Sequence, residues 1–313
     1  MNFSGKNVVK GIFWAALASA MWGISGTVLQ LISHNLKVPE AWLLSARTLS
    51  SGVLLLVISA LVYRRKIFDV FRSWRSVMWL VAYAVLGLMA NLYTFYLAIQ
   101  TGNSPAATIL QYLAPLFIVV GGLFIGNRPL KTDIIAFVLA LVGVVLALTK
   151  GNLGQLSISV TSLMWGLGSG LTAAFYVALP RPLVKDGNPP IVILGWGTMI
   201  AGILFNLYHP FWVQVPHLSL AVVGSVATTV IAGTILPFTL LLYAAKFASS
   251  DVISIMDAVQ PTVTSILCFL FLGVKLSLIE VGGMVLVVIG IYVLQRGRRQ
   301  YEEKQLQQDA FDD

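Results

Sequence analysis

The stretch SAMWG at residues 19–23 returns as SLMWG at residues 162–166, and each copy lies inside a long apolar run. Any single match of this kind is weak, but further matches follow in the same order at offsets of 146 or 147 residues. They are Ala98, Ser104, Ile109, Pro115 and Gly143 against Ala244, Ser250, Ile255, Pro261 and Gly290. The order and the nearly constant offset predict that the chain contains a duplicated unit.

The composition is that of a membrane protein. Of 313 residues, 58% are hydrophobic and 10% are charged, whereas a soluble domain carries about 25% charged residues. A bilayer core needs roughly 20 apolar residues per helix. Because lipid cannot satisfy backbone polar groups, we expect an all-α integral membrane protein of ten spans. Spans 1 to 10 lie near residues 8–33, 40–63, 75–98, 104–125, 131–149, 158–180, 189–208, 218–244, 249–272 and 278–295.

The ends of the chain and its basic residues indicate an orientation. The first apolar run is longer than the core of a secretory signal and has no small-residue cleavage site, so we expect it to be retained as span 1. With a cytoplasmic amino terminus, the cytoplasmic segments hold 16 of the 20 lysines and arginines, and the outer segments hold 3. By the positive-inside rule, both termini are expected to be cytoplasmic in the inner (plasma) membrane. Residues 296–313 are expected to form a solvated, disordered tail.

The duplication divides the spans into two units of five, at about residues 10–149 and 158–295. Because five is odd, the second unit must enter the membrane in the opposite orientation. Inverted repeats are a recurring plan of secondary transporters, in which the substrate site lies between the repeats and their rocking gives alternating access. The sequence therefore predicts a transporter.

In these features the chain resembles the ten-helix EamA-type members of the drug/metabolite transporter superfamily over about residues 10–295. The resemblance rests on the paired Met-Trp-Gly stretches, on Arg47, and on two proline-bearing spans with glycine exits, Gly126-Asn127-Arg128 and Gly273-Val274-Lys275. The family usually has an acidic residue after that glycine, and Asn127 and Val274 depart from this pattern. The resemblance implies transport of small organic solutes, often export of amino acids or related metabolites. It also implies a cavity lined by spans 1, 3, 4, 6, 8 and 9, with spans 5 and 10 peripheral.

Asp257 is a carboxylate well inside an apolar run, roughly 12 Å along the axis of span 9. An ionisable residue at that depth is by default a functional candidate. Burial disfavours the charged form of a carboxyl, so we expect Asp257 to exchange a proton near neutral pH or to bind a substrate amine. A hydrogen-bonded packing residue is the alternative. Its repeat equivalent is Gln111, for which a substrate contact and an interhelical hydrogen bond are both open.

Arg47 lies about seven residues into span 2. It can snorkel to the surface, pair with a backbone carbonyl, or bind a substrate carboxylate. Because the family often has an arginine here, we favour structural anchoring and keep substrate binding as the alternative.

Aromatic side chains also fall inside the spans rather than at the interfaces, where aromatic belts lie. Trp22 and Trp165 are repeat equivalents, so they are the strongest candidates for lining a substrate pocket or for holding a cation against a ring face. The remaining substrate-site candidates are Tyr93, Asn91, Tyr112 and Gln260. Core packing is the alternative for each aromatic residue.

Prolines and glycines are the candidates for bending. Pro115 and Pro261 are expected to kink spans 4 and 9 and to free backbone carbonyls. Gly23, Gly166 and Gly168 serve either close helix packing or the bending that gating requires, and packing is the favoured interpretation.

Secondary transport of small organic metabolites, with export of amino acids or related amines and carboxylates, fits these features best. A nucleotide-sugar or sugar-phosphate carrier is the alternative within transport, although such anions would need several deep basic residues and only Arg47 qualifies. An intramembrane enzyme and a non-transporting scaffold are the alternatives outside it. The sequence has no P-loop and no metal-binding histidine spacing, so no cofactor, metal or catalytic residue is expected. The expected partners are a small-molecule substrate, a coupled proton and the lipid bilayer, without nucleic acid, and the oligomeric state stays open.

Overall fold

In the computed structural model the chain forms helices joined by short connections. The structure describes residues 5–124, 126, 129–152, 155–248, 253 and 256–312, and no strand occurs within these ranges. Asn127, Arg128, Ser250 and Ile255, which were used above, lie outside them. Nine of the described helical segments are long and apolar enough to cross a membrane, and a shorter apolar helix represents span 9. The predicted all-helical membrane fold is confirmed.

The helical segments follow the predicted order. Spans 1 to 10 are Val8–Asn35, Glu40–Phe71, Trp74–Thr101, Ser104–Phe124, Lys131–Thr149, Val160–Lys185, Pro190–Tyr208, Leu220–Ala244, Val259–Leu272 and Leu278–Tyr301. The surface around them is apolar: Leu61, Phe124, Leu220 and Leu278 are between 77% and 91% exposed. Apolar side chains face outward in this way when lipid rather than water surrounds the protein.

Polar side chains mark the starts of several spans. Asn103, Ser159 and Ser219 each accept a hydrogen bond from the backbone N–H three residues further on, at 2.9, 3.0 and 3.3 Å. Such a cap satisfies one of the donors that the first turn of a helix leaves unpaired. Lipid offers no substitute partner, so these residues help to fix where each helix begins.

Spans 3 and 8 are π-helical at equivalent positions. Tyr83–Met89 in span 3 and Ile231–Ile235 in span 8 have this wider geometry, and each segment contains a glycine, Gly87 or Gly233. The two glycines are 146 residues apart, which is the offset of the repeat. Single π-helical turns within α-helices are frequent at functional sites.

Span 4 is interrupted near its middle, and a turn lies at the equivalent position directly before the described helix of span 9. The helix Ser104–Gln111 ends in a turn at residues 112–113, and a turn at residues 257–258 precedes Val259–Leu272. A proline ring clashes with the carbonyl four residues before it. For Pro115 that residue is Gln111, and for Pro261 it is Asp257. The prolines therefore place each interruption at one of the two matched polar residues.

The two repeats pack against each other with twofold pseudo-symmetry. Span 2 packs on its equivalent, span 7, and span 5 packs on its equivalent, span 10. Span 1 packs on spans 8 and 9, and its equivalent, span 6, packs on spans 3 and 4. Each of these helix contacts thus has a counterpart in the other repeat, as expected for inverted repeats.

Glycine contacts between spans 5 and 10 follow this symmetry in detail. A Cβ atom built on Gly143 would lie 2.6 Å from the carbonyl oxygen of Gly283, and one built on Gly290 would lie 3.0 Å from the carbonyl oxygen of Ala136. Both pairs of equivalent residues are 147 positions apart. The backbones touch at these points, so a larger side chain would separate the two helices.

Ion pairs join spans 5 and 10 at both ends. Arg298 donates through Nε and Nη2 to the carboxylate of Asp133, at 3.0 and 2.5 Å. At the other end, Lys150 Nζ lies 3.3 Å from Glu280 Oε2. Asp133 and Glu280 are repeat equivalents, and each also accepts the backbone N–H three residues before it. These two ion pairs were not predicted from the sequence, although their acids, Asp133 and Glu280, are related by the repeat offset of 147 residues.

The end of the chain differs from the prediction. The sequence predicts a disordered tail from residue 296, but the last helix runs without a break from Leu278 to Asp312. The tail is rich in glutamine, glutamate, lysine and arginine, which are good helix formers, and Arg299 Nε lies 2.7 Å from Glu303 Oε1 one turn further on. The expectation of disorder was wrong because the helix propensity of these residues continues the last helix, even though their hydrophobicity is low.

Candidate functional site

A cavity of about 310 Å³ lies between the two repeats. Among the described residues, every span except span 5 contributes to its wall. Spans 2, 7 and 10 therefore add to the six predicted spans, and the expectation that span 10 is wholly peripheral is wrong. Ile291 and Gln295, four residues apart, share one face of span 10, and this face borders the cavity.

Asp257 lies on the cavity wall at the interruption of span 9. Its carboxylate Oδ1 accepts a hydrogen bond from Ser19 Oγ of span 1 at 3.3 Å. Its backbone carbonyl accepts from the Tyr112 hydroxyl of span 4 and from the Gln260 N–H at 3.0 Å. The interrupted parts of spans 4 and 9 thus meet at Asp257, and Tyr112 and Gln260 also line the cavity.

Gln111 and Asn91 line the cavity as well, but they belong to a connected polar network. Gln111 Nε2 donates to Asn91 Oδ1 and to Ser169 Oγ, both at 3.2 Å. Asn91 Nδ2 donates to the carbonyl of Ser169 at 3.0 Å and to Thr172 Oγ1 at 3.3 Å. The network ties together spans 3, 4 and 6. The matched positions 111 and 257 therefore carry different chemistry: Gln111 is an amide held by its neighbours, and Asp257 is a carboxylate whose side-chain donor, within the described part of the chain, is Ser19.

Arg47 is buried, with 5% of its surface exposed, and it lines the cavity. Its Nη2 lies 3.9 Å from the position that a Cβ atom on Gly233 would take, so the side chain extends from span 2 toward span 8. It does not reach the surface. Among the described residues it has neither a hydrogen-bond nor an ion-pair partner. The carbonyl contact considered for an anchoring role is thus not observed.

The structure separates the equivalent tryptophans. Trp22 lines the cavity, donates Nε1 to the carbonyl of Gly233 at 3.2 Å and packs edge-on against Phe238. Trp165 packs edge-on against Tyr93, whose side chain is 40% exposed, and neither lines the cavity. The two residues lie at the interface of spans 3 and 6, away from the wall where they were expected.

The prolines and glycines that were candidates for bending differ in their surroundings. Pro115 lines the cavity, whereas Pro261 is buried behind it. A Cβ atom on Gly23 would lie 2.8 Å from the carbonyl of Gln260, and one on Gly166 would lie 2.3 Å from Leu110 Cδ1. These glycines bring span 1 against span 9 and span 6 against span 4, as in the packing interpretation. Gly168 has more room, with Thr94 as its nearest neighbour at 3.6 Å.

Sequence reasoning missed part of the wall. Its members that were not predicted include Ser25, Thr48, Ser51, Tyr176, Thr198, Thr234, Phe238 and Gln295. Arg47 and Ser51 are four residues apart and share one face of span 2, and this spacing would have revealed the contribution of the span. Arg47 and Asp257 are the charged side chains among the described residues of the wall.

The chain is an integral membrane protein with a transporter architecture. Its apolar helices form two symmetric repeats around a cavity, and the described wall carries one basic and one acidic side chain, Arg47 and Asp257. The chain belongs to the EamA-like transporter family, whose model matches residues 9–149 and 160–296. Transport across a membrane is therefore its class of function, and the family is not one of enzymes.

The comparisons with individual proteins agree with this family. The chain is 30% identical over 296 residues to "Uncharacterized inner membrane transporter YicL" of Salmonella typhimurium (strain LT2), covering 93% of this chain and 96% of that protein. It is 24% identical over 232 residues to an "Uncharacterized transporter" of Archaeoglobus fulgidus, covering 73% and 79%. A solved crystal structure with 18% sequence identity aligns with a TM-score of 0.60 over 95% of this chain and 99% of the other, which shows a shared fold.

Proposed function

We propose that the protein is a secondary transporter that exports amino acids or related amines and carboxylates by alternating access, with both termini in the cytoplasm. The observation that carries this proposal is the position of Asp257. It places a carboxylate on the wall of a cavity between two repeats, at the interruption of a spanning helix.

The composition of the cavity supports this substrate class over the alternative carriers. Nucleotide sugars and sugar phosphates bring several negative charges into the site. Among the described residues the wall offers Arg47 as its basic side chain and Asp257 as an opposing acid. One positive and one negative side chain suit a substrate that carries an amine, a carboxylate or both.

Asp257 has two roles in the proposed cycle. In its charged form it binds a substrate amine or receives a proton, and in its protonated form it releases the amine. Its side chain faces Ser19, and its carbonyl faces Tyr112 of span 4, so a change in its charge acts where spans 1, 4 and 9 meet. The interruption of span 4 and the turn at residues 257–258 are points at which these helices can bend while the repeats rock.

The test is solute flux in proteoliposomes that contain the purified protein and a mixture of radiolabelled amino acids and amines. Asp257→Asn removes the charge at nearly constant volume, so the variant is expected to fold, to lose most of its flux and to show a flat pH profile around neutrality. The matched control is Asp186→Asn, which changes an exposed carboxylate and is expected to keep the wild-type rate. Wild-type flux with an unchanged pH profile in Asp257→Asn would show that the residue is structural.

A further inference from the structure

Span 2 presents a short polar surface to the cavity, formed by Arg47, Thr48 and Ser51, which we call the span-2 wall. These residues are 5%, 1% and 1% exposed. Thr198 of span 7 is 2% exposed, also lines the cavity, and is adjacent to this wall, since its carbonyl carbon lies 3.1 Å from the position of a Cβ atom built on Gly52.

The polar groups of this surface lack partners in the described part of the chain. The hydroxyls of Thr48, Ser51 and Thr198 are buried without a hydrogen bond, and the Arg47 guanidinium has no hydrogen-bond or ion-pair partner there. Serine and threonine in helices commonly bond to a carbonyl of the preceding turn. Ser50 does so, donating to Ala46 at 2.7 Å, whereas the buried Ser51 hydroxyl makes no such bond to the described residues.

Buried polar groups are nearly always hydrogen-bonded, and an exception calls for an explanation such as a ligand. The groups here are suited to one kind of ligand. A guanidinium has only donors and matches a carboxylate with two parallel hydrogen bonds, and three hydroxyls can donate as well. We propose that the span-2 wall, together with Thr198, binds the carboxylate of the transported substrate.

The charge of the cavity limits this anion to a single negative charge. Asp257 lines the same cavity, so a phosphate monoester would place its two negative charges opposite one arginine and near one carboxylate. A monocarboxylate leaves the positive charge of Arg47 matched and leaves Asp257 free for an amine. The inference rests on the proposed function and narrows its substrates from amines or carboxylates to solutes that carry a carboxylate.

The experiment compares each amino acid with its decarboxylated amine as a ligand of the purified full-length protein. The probes are L-leucine with 3-methylbutylamine, L-phenylalanine with 2-phenylethylamine, and inorganic phosphate, and the measurement is the ligand-dependent shift of thermal unfolding. At least one amino acid is expected to bind the wild type about tenfold or more tightly than its amine, since an Arg–carboxylate pair is a strong, charge-assisted contact. In Arg47→Gln this difference is expected to vanish while amine binding remains.

Two further variants, Arg47→Lys and Ser51→Ala, together with the control Ser50→Ala, test the inference if Arg47→Gln does not fold. Arg47→Lys keeps the charge but loses the paired donors, so it is expected to retain part of the preference. Ser51→Ala is expected to weaken amino-acid binding without changing amine binding, and Ser50→Ala, one position earlier, is expected to change neither.

Several results would overturn the inference. They are a wild type that does not prefer any amino acid to its amine, a preference that persists in the Arg47 and Ser51 variants, and equal stabilisation by phosphate through Arg47. None of these depends on Asp257. If Asp257→Asn still loses flux, the proposed transport function stands without this carboxylate site. An absence of flux for every amino acid and amine with the wild type, by contrast, would overturn the transport proposal itself.

Discussion

At position 257 the second repeat carries an acid where the first repeat carries the amide of Gln111. Pro115 and Pro261 distort their helices at the matched residues Gln111 and Asp257, so the backbone leaves the regular helix at the same position in both repeats. Gln111 is held by Asn91 and Ser169, whereas Asp257 has Ser19 as its side-chain donor. The duplicated helix geometry thus supports a structural network in one repeat and a titratable side chain in the other.

The different positions of Trp22 and Trp165 can be tested by replacing each with phenylalanine. Trp22→Phe removes a hydrogen bond to Gly233 and part of the cavity wall. The smaller ring leaves the substrate fewer contacts with the wall, and a loss of about 1 kcal/mol in contact energy is expected to raise the KM for flux by about fivefold. Trp165→Phe changes the equivalent residue outside the cavity and is expected to leave the KM within about twofold of the wild type. An equal rise in both variants would show that the two tryptophans act through packing alone.

The π-helical segment Ile231–Ile235 of span 8 joins several parts of the site. The carbonyl of Gly233 receives Trp22 Nε1 at 3.2 Å, and Arg47 Nη2 approaches the same residue from span 2. A Cβ atom here would lie 2.3 Å from Ser25 Oγ of span 1, so a larger residue requires the Ser25 side chain or the two helices to shift. The segment therefore sets how closely spans 1, 2 and 8 converge on the cavity.

Replacing this glycine tests the role of the segment. Gly233→Ala is expected to push span 8 away from Ser25 and to reduce flux strongly, even though alanine is favoured over glycine in a helix by about 1 kcal/mol. Gly224→Ala in the same span is the control, since no atom lies within 4 Å of its added Cβ, and it is expected to be neutral or slightly stabilising. The readouts are flux and the midpoint of thermal unfolding. Normal flux in Gly233→Ala would show that the convergence of the three spans is not needed.

The ion pairs between spans 5 and 10 make a prediction about stability. Asp133→Asn weakens a contact in which the acid is buried and Arg298 is 30% exposed. The free energy of unfolding is expected to fall by about 2 kcal/mol, less than for a fully buried pair because solvent screens the arginine. The midpoint of thermal unfolding measures this change. The control, Arg296→Gln, alters an exposed residue of the same span, and a drop as large as that of Asp133→Asn would contradict a specific role of the ion pair.

At the scale of the molecule, the two repeats form one body through reciprocal contacts. Span 2 packs on span 7 and span 5 packs on span 10 across the pseudo-twofold axis. Span 1 packs on two helices of the second repeat, and span 6 packs on the equivalent two helices of the first. This symmetry requires the second repeat to be inverted in the membrane. Two states related by exchanging the roles of the repeats would open the same cavity to opposite sides.

The orientation of the whole molecule can be tested with reporter fusions. A reporter that is active only in the cytoplasm is expected to give signal at the carboxyl terminus, since 16 of 20 basic residues lie on that side of the ten spans. Fused after Asn152, which follows span 5, the same reporter is expected to be silent. A silent carboxyl-terminal fusion with normal expression would refute the proposed topology.

Local patterns in the sequence were sufficient to predict the membrane class, the order of the spans, the duplication and the distortion of two helices by proline. These features depend on local properties: the length of apolar runs sets the spans, and each proline acts on the carbonyl four residues before it. The same local reasoning selected Asp257, Asn91, Gln111, Tyr112 and Gln260, which the structure brings to one cavity.

Which of two equivalent residues faces that cavity depends on the packing of the helices and could not be predicted from the sequence. The repeat makes Trp22 and Trp165 equal in sequence, but the packing of one repeat on the other turns only Trp22 toward the cavity. The unpaired state of Arg47, Thr48 and Ser51 likewise depends on what the neighbouring spans place opposite them. A side chain's partners come from helices that are distant in the chain, and for that reason the pattern within one helix cannot specify them.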